Sequence, residues 1–159
     1  MVQQVFGLKH VPGVAHRTAF IEDYELGEAA ELVGGCDLWV NLPRPPQEAS
    51  GTSGMKSCMN GGLQLSVLDG WWAEAYDGTN GWAIDGTISD DPAAQDAEHA
   101  RQLFDLIERE VVPAFHDRDG QGIPRGWLAM VKASMRTNCP RFSASRMLDD
   151  YMTRIYREP

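Results

Sequence analysis

The sequence predicts an α/β protein in which helices flank a parallel β-sheet, and two observations lead to this fold class. Short apolar runs alternate with helical patterns in the first half of the chain, which is typical of parallel strands joined by helices. The second half carries longer amphipathic patterns that are suited to covering a sheet. A length of 159 residues suits one domain with its own core, so we expect a single domain over 1–159.

Three strands are predicted in the first half, at residues 17–23 (RTAFIED), 36–43 (CDLWVNLP) and 63–70 (LQLSVLDG). Residues 24–35 have apolar side chains at helical spacing and end in two glycines, which is typical of a helix C-terminus. A further helix is predicted to begin near Ser53. Ligands of parallel sheets bind at the carboxyl ends of the strands, so we expect a site there.

The second half is predicted to be mostly helical. Residues 71–86 are aromatic and rich in glycine, which indicates a packed loop. Amphipathic helices are predicted over 92–115, 124–138 and 143–158. In the first of these, one face carries Leu103, Ile107 and Val111, with Phe104 on its flank. The last has an apolar stripe that we expect to dock onto the sheet as core, formed by Met147, Leu148, Tyr151, Met152 and Ile155.

Composition excludes several classes of function. A formal net charge of −9 argues against non-specific binding to nucleic acids or to anionic membranes, since both need basic surfaces. No apolar run is long enough for a transmembrane helix, and the N-terminus lacks the pattern of a signal peptide. Cys36, Cys58 and Cys139 contain no C-x-x-C pair, so we expect free thiols and a cytoplasmic protein.

The stretch EASGTSGMKSCMNGG, residues 48–62, is the best candidate for a binding site. The small residues before the predicted helix let backbone N–H groups approach an anion, and the helix dipole adds to the attraction. The spacing fits neither the nucleotide-binding P-loop nor the dinucleotide fingerprint. Lys56 falls within about the first turn of the predicted helix. It is either a solvated lysine or a candidate for forming a Schiff base.

The same stretch resembles the cofactor segment of the α-glucan phosphorylases, the family of the glycogen, starch and maltodextrin phosphorylases. Glu48 to Lys56 reads as it does in the shorter bacterial members. The similarity covers about residues 17–157, whereas 1–16 match poorly, and its most similar segments are 20–56, 60–84, 111–135 and 141–151. The resemblance implies the C-terminal part of the pyridoxal-phosphate-binding domain in a two-Rossmann-domain (GT-B) glycosyltransferase fold.

Site residues follow from the resemblance position by position. Lys56 matches the lysine that holds pyridoxal 5′-phosphate as a Schiff base. Tyr24 matches a tyrosine beside the cofactor ring, although Glu25 stands where animal members have arginine. The residues that match the cofactor-phosphate turn are Gly51, Thr52, Ser53 and Gly54. The residues that match the glucosyl-binding segment are Glu48, Ala49, Ser50 and Gly51.

The implied activity is the reversible phosphorolysis of α-1,4-glucan to glucose 1-phosphate. The substrates would then be α-1,4-glucan, inorganic phosphate and glucose 1-phosphate, with Lys56 as a cofactor tether and Glu48 as a sugar-binding residue. The basic phosphate-binding residues of the family have no counterpart here. We therefore expect an N-terminal phosphorylase half outside this sequence and an inactive isolated chain. Two alternatives are a sugar-nucleotide-dependent glycosyltransferase of the same fold and a non-catalytic glucan-binding module.

Other patterns predict structure rather than chemistry. Residues 117–122 begin like a calcium loop, but Leu128 stands where an EF-hand needs glutamate, so we expect no calcium site. The four histidines lack metal-ligand spacing. Asp69 and Asp77 each precede a glycine and predict turns rather than paired catalytic carboxylates. Three tryptophans are predicted to pack in the interior rather than to stack on sugars: Trp71, Trp72 and Trp82.

Overall fold

The protein contains a sheet of three parallel strands in the order β1-β2-β3, in a computed structural model that describes residues 2–156. The strands are Leu38–Asn41 (β1), Leu63–Val67 (β2) and Gly81–Ile84 (β3). Leu65 of β2 lies opposite Val40 on one side and Trp82 on the other. All five residues of β2 are buried, as expected for a central strand covered on both faces. The predicted α/β class with a parallel sheet is confirmed.

Eight α-helices are described. They are Val2–Gly7 (α1), Leu26–Gly35 (α2), Thr52–Met59 (α3), Gly70–Ala75 (α4), Pro92–Leu106 (α5), Val112–His116 (α6), Arg125–Arg141 (α7) and Ala144–Arg154 (α8). A π-helical turn, Ile107–Val111, joins α5 to α6, and two 3-10 turns span Leu8–His10 and Ala15–Arg17. The end of the helix predicted over 143–158 lies partly outside the described residues. Capping residues determine where two of these helices begin. Asp91 caps α5, with Pro92 in its first turn, and Ser143 caps α8.

Two predicted elements are wrong. Residues 17–23 form no strand, and Phe20 instead packs edge-to-face on Phe6, with ring centroids 5.4 Å apart. The segment 71–86, predicted as a loop, contains all of α4 except its first residue and the whole of the third strand β3. The strand is only four residues long and begins at a glycine, so its sequence carries little periodicity, and pairing with β2 decides its conformation.

The chain divides into two compact units, residues 1–32 and 33–159. In the first unit, none of residues 3–32 is buried. The second unit contains the sheet and two clusters of buried side chains. The larger cluster is formed by Leu63, Leu65, Trp82, Val111 and Trp127. The other is formed by Cys58, Trp71, Trp72 and Ala75.

The tryptophans pack as predicted. Trp71 and Trp82 are 4% exposed and Trp72 is fully buried. The indole N–H of Trp72 donates to the Trp82 carbonyl at 3.0 Å, and that of Trp82 donates to Glu110 at 3.0 Å. Both buried N–H groups therefore have acceptors, which removes the cost of burying them.

Apolar faces were predicted for the helices over 92–115 and 143–158, and only the first of these faces packs against a buried cluster. Val111 is buried and Leu103 and Ile107 pack against the larger cluster, as predicted for that face of the helix, whereas Phe104 on its flank is exposed. The docking of the α8 stripe onto the sheet is wrong, because its five apolar side chains are between 44% and 64% exposed. A periodic pattern identifies one apolar face of a helix, but it does not supply the surface that covers it. Among the described residues, no helix is long and apolar enough to cross a membrane.

Candidate functional site

The candidate site lies where β1 and β2 end. The loop after β1 contains Glu48 and leads into α3, and Asp69 follows β2 by two residues. The two strands are parallel neighbours, so their carboxyl ends lie at the same edge of the sheet. This is the location that the fold class predicts for a ligand.

The start of α3 forms a cradle, by which we mean residues Gly51–Gly54. Gly51 precedes the helix with φ +90° and ψ 45°, a left-handed conformation that favours glycine. A Cβ added at Gly51 would lie 2.9 Å from Cδ1 of Trp71. Since glycine has no side chain, α3 has no side-chain cap, and Thr52 and Ser53 are exposed at its N-terminus. Exposed first-turn N–H groups without a cap are suited to binding an anion.

Helix α3 is held in place from two sides. The Gln64 side chain of β2 donates to the Gly54 carbonyl at 3.1 Å. The Cys58 sulfur lies 3.3 Å from the Ser134 hydroxyl of α7. Gly54 itself is buried, and a Cβ there would lie 2.8 Å from Oε1 of Gln64. The cradle therefore rests on the central strand.

Lys56 is the fifth residue of α3, at the start of its second turn, and its side chain is exposed. It lines a groove of about 470 Å³ together with Ser50 and Thr52. The rest of the lining is mostly apolar, at Met55, Met59, Phe142, Ala144 and Met147, and also includes Ser143 and Arg146. An amine, a guanidinium, hydroxyls and apolar side chains thus line one groove beside the cradle.

Glu48 is held by two contacts that sequence reasoning missed. The Asn41 side-chain amide donates to Oε2 of Glu48 at 3.3 Å. The backbone N–H of Glu48 donates to Oδ2 of Asp69 at 2.9 Å. Asn41 is the last residue of β1, and Asp69 follows β2, so the strand-end rule was the signal that pointed to both. Asp69 was predicted to form a turn with Gly70; it is instead the N-cap of α4 and accepts the Gly70 N–H at 2.9 Å.

The predicted site residues fall in different units. Eight of them, between Glu48 and Lys56, lie in the unit formed by 33–159. Tyr24 lies in the unit formed by 1–32, and its side chain is 55% exposed. The structure thus brings together the cradle, Lys56 and Glu48, all of which come from one continuous stretch of sequence.

An acidic side chain of the calcium-like loop, residues 117–122, forms hydrogen bonds with neighbouring residues of the chain. The Asp119 carboxylate accepts the backbone N–H groups of Gln121 and Ile123, each at 2.9 Å, and pairs with Arg125. These hydrogen bonds, that from Ile123 first, lower the pKa of Asp119. Within the part of the chain that the structure describes, no group of three or more His, Cys, Asp or Glu side chains is arranged to hold a metal ion.

Comparison with known proteins identifies close relatives. Residues 11–103 match the family profile described as carbohydrate phosphorylase. The chain is 46% identical to a glycogen phosphorylase of Mycobacterium tuberculosis and 43% identical to one of Aquifex aeolicus, in each case over 98% of the chain. It is 38% identical to a maltodextrin phosphorylase of Thermococcus litoralis, also over 98% of the chain. The matches cover 18%, 22% and 18% of the respective relatives, so the chain spans about a fifth of their length.

Proposed function

This chain belongs to the carbohydrate phosphorylase family, and from that premise we propose that it carries the cofactor seat and part of the sugar site of an α-glucan phosphorylase. The reaction is the reversible phosphorolysis of α-1,4-glucan, which yields glucose 1-phosphate. The names and identities of the relatives support this activity. The observation that carries the assignment is the uncapped cradle beside a groove that also contains Lys56.

The residues present fit pyridoxal 5′-phosphate. Gly51 leaves open the end of α3, so Thr52 and Ser53 can offer N–H and hydroxyl donors to the cofactor phosphate, with Gly54 behind them. Lys56 would hold the cofactor through its ε-amino group, and the apolar wall at Met55 suits the face of its ring. When bound, the cofactor supplies a second phosphate group that exchanges a proton with the reacting phosphate.

The remaining residues act on the sugar. Glu48, Ala49, Ser50 and Gly51 bind the glucosyl unit, and Glu48 accepts hydrogen bonds from its hydroxyl groups. These contacts orient the substrate and stabilise positive charge that develops at the sugar. Tyr24 would lie beside the cofactor ring. In this scheme Lys56 tethers the cofactor and neither gives nor takes a proton during the reaction.

The wider architecture is part of the same proposal. Residues 1–159 would form one domain within a two-Rossmann-domain (GT-B) glycosyltransferase, with the basic phosphate-binding residues supplied by an N-terminal half. The α/β class and the parallel sheet support this architecture.

Cys36, Cys58 and Cys139 are free, which suits the reducing environment of the cytoplasm, and we assign the protein to that compartment.

Selective modification of Lys56 tests the cofactor seat. The chain contains only three lysines, Lys9, Lys56 and Lys132. After incubation with pyridoxal phosphate and reduction with borohydride, we expect peptide mass spectrometry to find the label mainly on Lys56. Lys56→Arg should remove that label, while Lys132→Arg, a change at another exposed helical lysine, should leave it in place.

Equal labelling of the three lysines would overturn the cofactor seat. The activity needs a separate assay, in which the chain is combined with the N-terminal part of a phosphorylase and supplied with maltodextrin and phosphate. Release of glucose 1-phosphate that depends on Lys56 is the expected result. Glucan binding without such release would favour a non-catalytic module instead.

A further inference from the structure

We propose that the tripeptide Asp69-Gly70-Trp71, here named the platform, is a positioning element that fixes Glu48 and the cradle in one arrangement. The inference rests on the proposed function, since it concerns the residues that would bind sugar and cofactor. No member of the platform lines the groove beside Lys56. The platform acts through the residues that it holds.

Asp69 joins two segments that are far apart in sequence. Its Oδ2 accepts the backbone N–H of Glu48 at 2.9 Å, and its Oδ1 accepts the N–H of Gly70 at 2.9 Å. A helix N-cap side chain accepts N–H groups of its own helix, so the contact with Glu48 goes beyond capping. Because both of its oxygens accept hydrogen bonds, the Asp69 carboxylate bridges the start of α4 and the loop that contains Glu48.

Gly70 allows the two backbones to approach closely. The Trp71 N–H donates to the Ser50 carbonyl at 2.8 Å. A Cβ added at Gly70 would lie 2.6 Å from that carbonyl oxygen and 2.8 Å from Cγ of Glu48. Gly70 also has φ +51°, so a larger residue there would meet both steric conflict and backbone strain.

The Trp71 side chain extends the support to the cradle. Its Cδ1 lies 2.9 Å from where a Cβ of Gly51 would be, and its Nε1 lies 2.9 Å from the corresponding position at Gly54. The indole is itself held by Trp72 and Phe142, with ring centroids 5.2 Å away in each case. One buried side chain therefore lies against both glycines of the cradle.

The consequence is an oriented carboxylate. With its backbone held by Asp69, Glu48 receives the Asn41 amide on Oε2. Within residues 2–156, no group donates a hydrogen bond to Oε1 of Glu48. This oxygen is therefore available to a sugar hydroxyl. The contacts with Asn41 and Asp69 restrain this carboxylate before any ligand binds, which lowers the entropy cost of binding.

Two substitutions of Asp69 distinguish a carboxylate that bridges two segments from one that only caps α4. Asp69→Asn retains the shape and one acceptor oxygen, and asparagine is as good a helix cap as aspartate. A bridge predicts that one of two amides, Glu48 or Gly70, loses its acceptor and exchanges its hydrogen about tenfold faster by NMR. Asp69→Ala should expose both amides. Asp77→Ala is the matched control, since within residues 2–156 its carboxylate accepts hydrogen bonds from its own turn alone, with the Thr79 N–H at 2.8 Å.

Unchanged hydrogen exchange at the Glu48 amide in Asp69→Ala, with faster exchange at Gly70 alone, would overturn the bridge and leave Asp69 as a cap.

The positioning of Glu48 is measured separately, by titrating glucose 1-phosphate and following the NMR shifts of the amides of residues 48–51. We expect Asp69→Asn to weaken those shifts while leaving the labelling of Lys56 unchanged. Failure of the proposed function would instead appear in the unaltered chain, as absent sugar shifts and unselective lysine labelling, whatever the exchange result.

Discussion

At the scale of single residues, Gly54 is the position where the cradle has least space. It is buried between the central strand and the platform. A Cβ there would lie 2.8 Å from Oε1 of Gln64 and 2.9 Å from Nε1 of Trp71. Gln64 is fully buried and already donates to Gly54, so it has little freedom to move away. Glycine is required here for space, although a helix ordinarily favours alanine.

Gly54→Ala should therefore lower the free energy of unfolding by about 1–3 kcal/mol, as overpacking of a core does. Urea unfolding followed by tryptophan fluorescence measures it. Gly126→Ala in α7 is the control, since nothing lies within 4 Å of its added Cβ. The control should be neutral or stabilise the protein by at most about 1 kcal/mol, the usual helical preference for alanine. Equal effects at the two positions would contradict the tight packing of Gly54.

The site could be predicted where its residues are consecutive and not where they are distant. The small residues and Lys56 are adjacent in sequence, so their pattern alone indicated an anion cradle and an amine. Glu48 and Asp69 are separated by 21 positions, and their contact exists only after β1 and β2 pair. Gln64 shows the same limit, because a polar residue in an apolar strand pattern gives no indication of the backbone carbonyl that it binds.

At the scale of elements, prediction succeeded where the local pattern agreed with the packing. Helix α3 was predicted to begin near Ser53 and begins at Thr52, and β1 and β2 lie within their predicted ranges. The strand β3 was missed, because four residues that begin with a glycine carry too little periodicity. The strongly amphipathic α8 was placed in the core, yet neither buried cluster contains one of its residues.

Helix α5 carries a charge network from which we expect a pH-dependent contribution to stability. Arg101 donates to Glu98 through Nε at 2.9 Å, and Gln102 donates to the same carboxylate at 2.7 Å. These hydrogen bonds, the one from Arg101 first, lower the pKa of Glu98 from 4.5 to about 2. Because the folded-state pKa is the lower one, this contribution to stability is present above pH 4.5. It is lost as the pH falls from 4.5 towards 2.

Glu98→Gln should therefore make the loss of thermal stability between these pH values less steep. Thermal unfolding by circular dichroism across that range measures the slope. Arg101→Gln removes the donor that contributes most and should have a similar effect on the slope. A slope in Glu98→Gln identical to that of the unaltered chain would show that the pKa is not lowered in the folded state. Both sites are exposed, so added salt should weaken the difference.

At the scale of the whole molecule, the core belongs entirely to residues 33–159. Both buried clusters, with the side chains packed against them, come from this unit. The first unit has no buried residue between 3 and 32, and a segment of that size rarely folds without further stabilisation. We therefore expect a single cooperative unfolding transition whose free energy arises from the second unit.

Deletion of residues 1–24, which leaves α2 whole, tests this expectation. All five tryptophans lie in 33–159, so tryptophan fluorescence reports on that unit alone: Trp39, Trp71, Trp72, Trp82 and Trp127. The shortened chain should retain the transition, with a free energy of unfolding changed by less than about 0.5 kcal/mol, as for a change away from buried contacts. A peptide of residues 1–32 should show no cooperative transition by circular dichroism. Loss of the tryptophan transition in the shortened chain would mean that residues 1–24 supply stability that the buried clusters do not account for.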